Sequence, residues 1–466
     1  MLSIVLLVSA CPAPQTDTTP PIPAGVNAKS WRDAAKRVKG FRFDKKNLTI
    51  RLFANKDQVQ DPAAICFDDQ NRLYVAENHR LKRGGVDDNR QRQFWFLDDI
   101  SCQTVEDRLA MYKKWESKYP ASHYTKYSER IITLEDRDGD GMAEHRVVYA
   151  DKFNDPLDGP AIGLIAKEGK VYLTCIPHVW VLEDTDSDGV ADKRRSIQDG
   201  FGVRVSLSGH DMHGLAWGPD GRLYWSIGDR GYNFTTKEGR HFENPASGAV
   251  FRCNPDGSDV EIYHEGLRNP QELAFDQFGN LFTVDNNADL GDKARVVYIL
   301  EGGTSGWHSG FQNLTTFRSA SKILEQNNQV PWMVEKIWAT QHKGRPAYAL
   351  PPLPDFTING KTKVSGPSGL VFHSTGAMGD ALANAFYVCD FRGRASRSGI
   401  FTFKVENNGA GFKVTEHAEF LGGVATPDID FSYDSFHDSF TSDSGSCLRL
   451  LFISGSAISL RVPSSS

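Results

Sequence analysis

Two histidines and an aspartate stand together at His210, Asp211 and His213, in SGHDMHGLAWGPDGRLYWSIGDRG, and Asp229 and Arg230 close the same segment. An imidazole near neutral pKa can take a proton from a hydroxyl as hydride leaves the same carbon. Asp229, at the far end of the following strand pattern, could orient that imidazole or the substrate. A buried or turn-capping histidine is the ordinary alternative. Downstream, Arg268 and Asn269 in GLRNPQ present a planar fixed cation suited to a carboxylate-bearing ligand, against the simpler reading of a surface ion pair. Arg392 and Arg394 (DFRGR) form a second basic pair that could face an anion.

Two acidic loops are the most specific local signals. One holds Asp136, Asp138 and Asp140 before Gly141, with Glu144 three residues on; the other holds Asp184, Asp186 and Asp188 before Gly189, with Asp192 at the same offset. Carboxylates on alternate residues followed by a bend-permitting glycine wrap one hard cation with oxygens. Neither loop has a Glu at its twelfth position, so neither is a full EF-hand. They read as structural Ca²⁺ sites in turns at blade edges, the alternative being solvated acidic turns. Asp285, with Asn286, Asn287 and Asp289, makes a further oxygen-rich loop that could hold Ca²⁺.

The elements that must position these groups follow from a repeat. PAAICFDDQNRLYVAE begins at Pro62, PAIGLIAKEGKVYLTC at Pro160 and HGLAWGPDGRLYWSIGD at His213. PQELAFDQFGNLFTVD follows at Pro270, a longer copy at Pro367 and a broken one, PDIDFSYD, at Pro427. Each copy is an apolar strand, a turn rich in Asp, Asn or Gly, and a returning β-rich strand. One hairpin cannot bury both faces, so copies stacked around an axis are expected. Further strand signals at RVVYA, HVWVLED, GAVFRCN, ARVVYIL and GIFTFKV bring each unit to about four strands. The sequence therefore predicts an all-β fold, a six-bladed β-propeller over 41–434, with seven blades or a stack of β-sandwiches as alternatives. Thr104 to Lys118 has apolar residues at Val105, Leu109, Tyr112 and Trp115, near a helical period, and reads as a helical insertion in the first blade, over the rim.

The ends differ from the middle. Residues 1–10 are a short apolar run ending Val8-Ser9-Ala10 before Cys11, as in a lipoprotein signal peptide with Cys11 as the lipidation site; an ordinary signal peptide is the alternative. Residues 11–40 begin Pro- and Thr-rich and read as a tether. Residues 435–466 form an atypical Ser-rich tail, expected to be poorly ordered and to leave the last blade unfinished. Cys66, Cys175, Cys253 and Cys389 sit in apolar strand-like runs, which favours buried thiols, although spacing does not exclude a disulfide. A net charge of −6 without a basic block gives no footprint for nucleic acid, and no run of about 20 apolar residues exists for a spanning helix. Nothing in the sequence argues for an oligomer, so a monomer is expected.

HDMHGLAWGPDGRLYWSIGD, GLRNPQELAFD and EGGTSGW resemble the soluble quinoprotein glucose and sorbosone dehydrogenases, six-bladed propellers using pyrroloquinoline quinone (PQQ) and Ca²⁺. The DDIS and TVEDRLAMY segments, the acidic loops and CDFRGRASRSGIFTF bring the chain nearer to the propeller domain of large bacterial membrane-bound dehydrogenases. There the propeller is usually followed by a C-x-x-C-H haem domain, a motif these 466 residues lack. The resemblance implies His210 as catalytic base, Asp229 on the substrate side, and Arg268, Asn269, Arg392 and Arg394 toward the cofactor. It also implies a Ca²⁺ loop from Asp285, although DNNADLGDKAR lacks the acidic pair before Glu-Ile-Asn found in the soluble enzymes. The expected function is an exported PQQ-dependent dehydrogenase of the periplasm or cell envelope, lipid-anchored, oxidising a sugar or related alcohol. A separate cytochrome is the candidate electron acceptor. The alternatives are a non-catalytic, calcium-stabilised propeller binding carbohydrate or protein and, last, a lactonase-type hydrolase.

Overall fold

The computed structural model describes residues 4–9, 22–23, 25–43, 48–81, 94–207, 209–286, 294–310, 349–352, 356–358, 361–363, 366–375, 380–392, 395–424, 429–434 and 447–454. Asp289 and Arg394, named above, lie outside them, as do Asn287 and Cys11.

The repeated hairpins become the inner halves of antiparallel sheets. Pro62–Phe67 pairs with Leu73–Glu77, Gly163–Lys167 with Lys170–Cys175, and Met212–Trp217 with Leu223–Ile227. Pro270–Phe275 pairs with Leu281–Asp285 and Gly366–His373 with Ala385–Phe391. The turn needs one residue in the left-handed region. Gly221 and Gly279 supply it in two copies and Asn71 in a third, with φ of 76°, 80° and 61°. Two outer strands, or three in the sheet of Met212–Trp217, complete each of these, and among the described residues six sheets of four or five strands result. Their first strands touch in cyclic order: 62–67 against 163–167, then 212–217, 270–275, 366–373 and 429–434, which returns to 62–67. This is a β-propeller. Its second strands are buried along their whole length at Leu73–Glu77, Leu223–Ile227 and Leu281–Asp285, because a neighbouring sheet covers each face. That is why LYVAE, LYWSI and LFTVD read as continuous rather than alternating apolar runs. Cys66, Cys175, Cys253 and Cys389 are buried in strands, as their apolar surroundings suggested.

The sixth sheet is assembled from both ends of the chain. Ile429–Asp434 pairs with Cys447–Ser454, which pairs with Ile4–Ser9, which pairs with Thr49–Ala54. The C-terminal run thus supplies two strands, one from within the Ser-rich tail, and N-terminal strands supply the rest. The apolar run at the N-terminus is an inner member of this sheet.

The insertion follows the second strand of the first sheet. Helix α1 (Ala28–Val38) lies between the two N-terminal strands of the sixth sheet; α2 (Phe96–Ser101), α3 (Val105–Lys114) and α4 (Ala121–Thr125) form the insertion. Thr104 caps α3 in a capping box with Asp107, which fixes where the helix starts. Its buried stripe is Val105, Arg108, Met111 and Tyr112, so Arg108 takes a place the period gave to Leu109. Arg108 donates to the Leu157 carbonyl at 2.9 Å. Trp95, Met111, Tyr112 and Tyr124 pack with Val203 and Val205, so the insertion rests on the segment leading to His210 and not only on the rim.

Candidate functional site

In an antiparallel four-stranded blade, the start of the first strand, the end of the second and the end of the fourth share one edge. His210 precedes Met212–Trp217, Asp229 follows Leu223–Ile227, and Arg268 follows Glu261–Leu267. Strand order alone therefore gathers them at one end of the third sheet. The turn between a third and a fourth strand lies at the opposite edge. Both acidic loops occupy such turns, between Glu129–Glu135 and His145–Phe153 and between His178–Glu183 and Lys193–Gln198. They are remote from His210 by construction.

At the site, His210 Nδ1 lies 2.9 Å from Asp229 Oδ1, and both side chains are buried. Arg230 donates to the same oxygen through Nε at 3.2 Å and Nη2 at 2.9 Å, while Trp307 Nε1 donates to Oδ2 at 3.0 Å. Burial would raise the Asp229 carboxyl, but Arg230, His210 and Arg268 outweigh it and hold the group well below the usual carboxylate range. Burial, reinforced by Arg268 and opposed by Asp229, pushes His210 down to about 4, so its ring is neutral at pH 7. With Nδ1 given to Asp229, Nε2 is the basic nitrogen and has no hydrogen-bond partner among the described residues.

His213 turns away. Its Nε2 meets the Gly209 carbonyl, which Gln271 also holds at 2.8 Å, so His213 braces the loop behind His210. Asp211 accepts from Ser206 Oγ at 2.5 Å, its other oxygen is buried without a partner, and burial raises it to about 6.

Arg268 is buried, sits 5.4 Å from the Trp307 ring centroid and donates to Asn286 Oδ1. Asn269 beside it is buried, and its Oδ1 has no hydrogen-bond partner among the described residues. Asp285 does not join a group of three metal-capable side chains among the described residues. Both its oxygens accept backbone N–H groups, from Arg268 at 3.1 Å and Asn269 at 2.7 Å. Glu77, at the same place in its own repeat, accepts Gln60 N at 2.6 Å in the same manner. A carboxylate ending the second strand thus caps the chain that enters the first. Arg392 pairs with Asp390 at 2.6 Å and covers the Phe401 ring at 4.1 Å.

Three contributors escaped the sequence reading. Arg204 is buried, donating to Ser309 Oγ and to the Ile100 carbonyl of α2. Asp99 of α2 accepts Val205 N at 2.7 Å, and burial raises its carboxyl against Arg230, Arg204 and Arg108. Trp307 enters the sequence reading only as the last residue of EGGTSGW. No local pattern flags these residues, because the hydrogen-bond partners of their side chains are 78 or more positions away.

In the acidic loops, ligand-capable oxygens of Asp136, Asp138 and Glu144 lie within 4.8 Å of one another, as do those of Asp184, Asp186 and Asp188. Asp140 is turned to Met142 N at 2.8 Å, and Asp192 to the Thr185 hydroxyl at 2.5 Å. The fourth position of the loop is left-handed in both, as Gly139 (φ 77°) in one and Ser187 (φ 63°) in the other.

A family model described as a domain of unknown function (DUF7133) matches residues 36–424. Quinoprotein glucose dehydrogenase B of Acinetobacter calcoaceticus is 30% identical over 153 residues, 27% of this chain and 32% of that protein. The match thus spans about a third of that relative's length. The soluble aldose sugar dehydrogenase of Escherichia coli, an apo structure, is similar at 14% identity, covering 85% of this chain and 97% of that one, with a TM-score of 0.45. The PQQ-bound aldose sugar dehydrogenase of Streptomyces coelicolor is similar at 12% identity over 85% and 95%, with a TM-score of 0.43.

Proposed function

The chain belongs to the DUF7133 family, and from its site we propose that it is a sugar-dehydrogenase-like quinoprotein that oxidises a sugar or related alcohol. One observation carries the reading: a buried His–Asp dyad, with a neutral imidazole, lies next to a buried Arg–Asn pair. The residues suit a planar polycarboxylate. Arg268 offers a fixed guanidinium beside an aromatic face, and the orphaned Asn269 Oδ1 marks a buried polar atom still lacking its partner. When bound, PQQ supplies the two-electron acceptor.

The chain's own residues do the rest. His210 Nε2 removes the hydroxyl proton of the substrate as the carbon is oxidised, Asp229 holds the ring and stabilises the imidazolium that forms, and Arg268 with Asn269 orients the cofactor. Arg392, already committed to Asp390, contributes less to that task. A separate cytochrome would take the electrons onward. The acidic loops, at the far edge, hold structural Ca²⁺ in this account. Export through residues 1–10 with lipidation of Cys11 is the accompanying proposal for location. Processing there would release Ile4–Ser9 from the sixth sheet, and the mass of the mature chain reads which state is present.

Titration of the purified, Ca²⁺-loaded protein with PQQ, followed by absorbance and calorimetry, tests the reading. One-to-one binding that Arg268→Ala abolishes is expected. Absence of binding by protein shown to be folded overturns it.

A further inference from the structure

The carboxylate of Asp229 is held more firmly than a dyad partner requires. Four donor contacts converge on it, three from His210 and Arg230 onto Oδ1 and one from Trp307 onto Oδ2. Its backbone N–H is tied to the Arg268 carbonyl at 2.8 Å. Donors on both oxygens fix the plane of the group, which in turn fixes the imidazole. Trp307 is itself anchored to the third sheet: its N–H donates to the Gly266 carbonyl at 2.9 Å and its carbonyl accepts Ser247 Oγ at 2.9 Å. Gly266 permits that approach, because a Cβ there would lie 2.3 Å from Gly306 N.

We infer that Arg230 and Trp307 are positioning residues that act through Asp229, Trp307 fixing the orientation of His210 and Arg230 neutralising the carboxylate oxygen that the ring faces. The charged and titratable groups facing His210 are Asp229, Arg230, Arg268 and the neutral His213. Burial disfavours the imidazolium first and the Arg268 cation adds to it, while Arg230 offsets part of the Asp229 carboxylate that would otherwise favour the charged ring. The outcome is a weaker base than an Asp-paired histidine usually makes. It stays available in mildly acidic medium, where a histidine of ordinary pKa would already be protonated.

The inference rests on the reading of His210 as the base, but its test reads the ring directly and needs neither cofactor nor substrate. The His210 Cε1–H resonance is followed against pH by NMR in the wild type, Arg230→Gln and Arg230→Lys, assigned by its loss in His210→Gln. The wild-type ring is expected to titrate well below 6.5, Arg230→Gln to shift that midpoint up by at least about one unit, and Arg230→Lys to leave it near the wild type. An ordinary midpoint in the wild type overturns the inference even if no variant folds, and so does an unmoved midpoint in folded Arg230→Gln. Trp307→Phe keeps the ring but loses the N–H. In PQQ-loaded protein it is expected to lower kcat about 10–100-fold with little change in KM. An unchanged kcat overturns the part assigned to Trp307. Lack of turnover in the wild type sinks the dehydrogenase reading while the titration still stands or falls alone.

Discussion

Asp285 offers a decisive perturbation, because its sequence suggests a metal ligand whereas its geometry gives it a structural task. Its two oxygens accept the N–H groups of Arg268 and Asn269 at 3.1 and 2.7 Å, and it is 4% exposed. In Asp285→Ala both N–H groups are left in the interior without an acceptor. Each such orphan costs about 1–3 kcal/mol, so the pair costs roughly 2–5 kcal/mol, allowing for partial relaxation. Asp285→Asn keeps one acceptor but turns an amide NH₂ toward the other N–H, and is expected to lose about half as much. The assay is urea unfolding with and without EDTA. The cap account predicts that the loss is equal in the two media, and that PQQ affinity falls because the backbone carrying Arg268 has lost its anchor. A loss below about 1 kcal/mol, or one that vanishes in EDTA, refutes the reasoning.

Other consequences follow from the same structure. Asp229→Asn leaves Arg230 buried without its anion and faces Trp307 or Arg230 with an amide NH₂. A loss of about 3–5 kcal/mol in urea unfolding is expected, with turnover down by about 10²-fold or more. Ser187 holds a left-handed φ where the sister loop has Gly139, so Ser187→Gly should raise stability by about 1 kcal/mol in the same assay. Ca²⁺ in hundredfold excess over its Kd should add about 2.7 kcal/mol per loop, lost stepwise in Asp136→Asn and Asp184→Asn with EDTA-treated protein as the reference. His213 is buried and pushed down to about 4, so the unfolded chain binds a proton below pH 6.5 that the folded chain refuses. Stability from this group is full above 6.5 and declines by up to about 3 kcal/mol as pH falls toward 4; His213→Gln should remove that share of the slope in pH-dependent unfolding, leaving the similar share from His210.

The propeller was legible because its repeat is written in local chemistry. A turn needing a left-handed residue appears as Asn71, Gly221 and Gly279, and the strands on either side of it are apolar. His210, Asp229 and Arg268 were legible for the same reason, since their places at strand ends put them on one edge once the sheet is antiparallel. What stayed hidden depends on contacts across the chain. Trp307 reaches Asp229 from 78 positions away, and Asp99 meets Val205 from 106. Asp285 reads in the sequence as part of an oxygen-rich loop with Asn286, Asn287 and Asp289; its use by the backbone amides of Arg268 and Asn269 shows only when the preceding strand is in place. The run Ile4–Ser9 was ambiguous for a different reason. Five apolar residues and a serine suit a leader core and a β-strand equally well, and pairing with Thr49–Ala54 and Cys447–Ser454 shows a strand here.

The central claim is that His210 is the base of a quinone-dependent alcohol oxidation. Single-turnover reduction of PQQ in the loaded protein by an aldose, read by absorbance, tests it most directly in the wild type and His210→Ala. The account predicts reduction in the wild type, and a variant that binds PQQ normally yet reduces it at least about 10²-fold more slowly. A His210→Ala protein that reduces the bound quinone at the wild-type rate would contradict it.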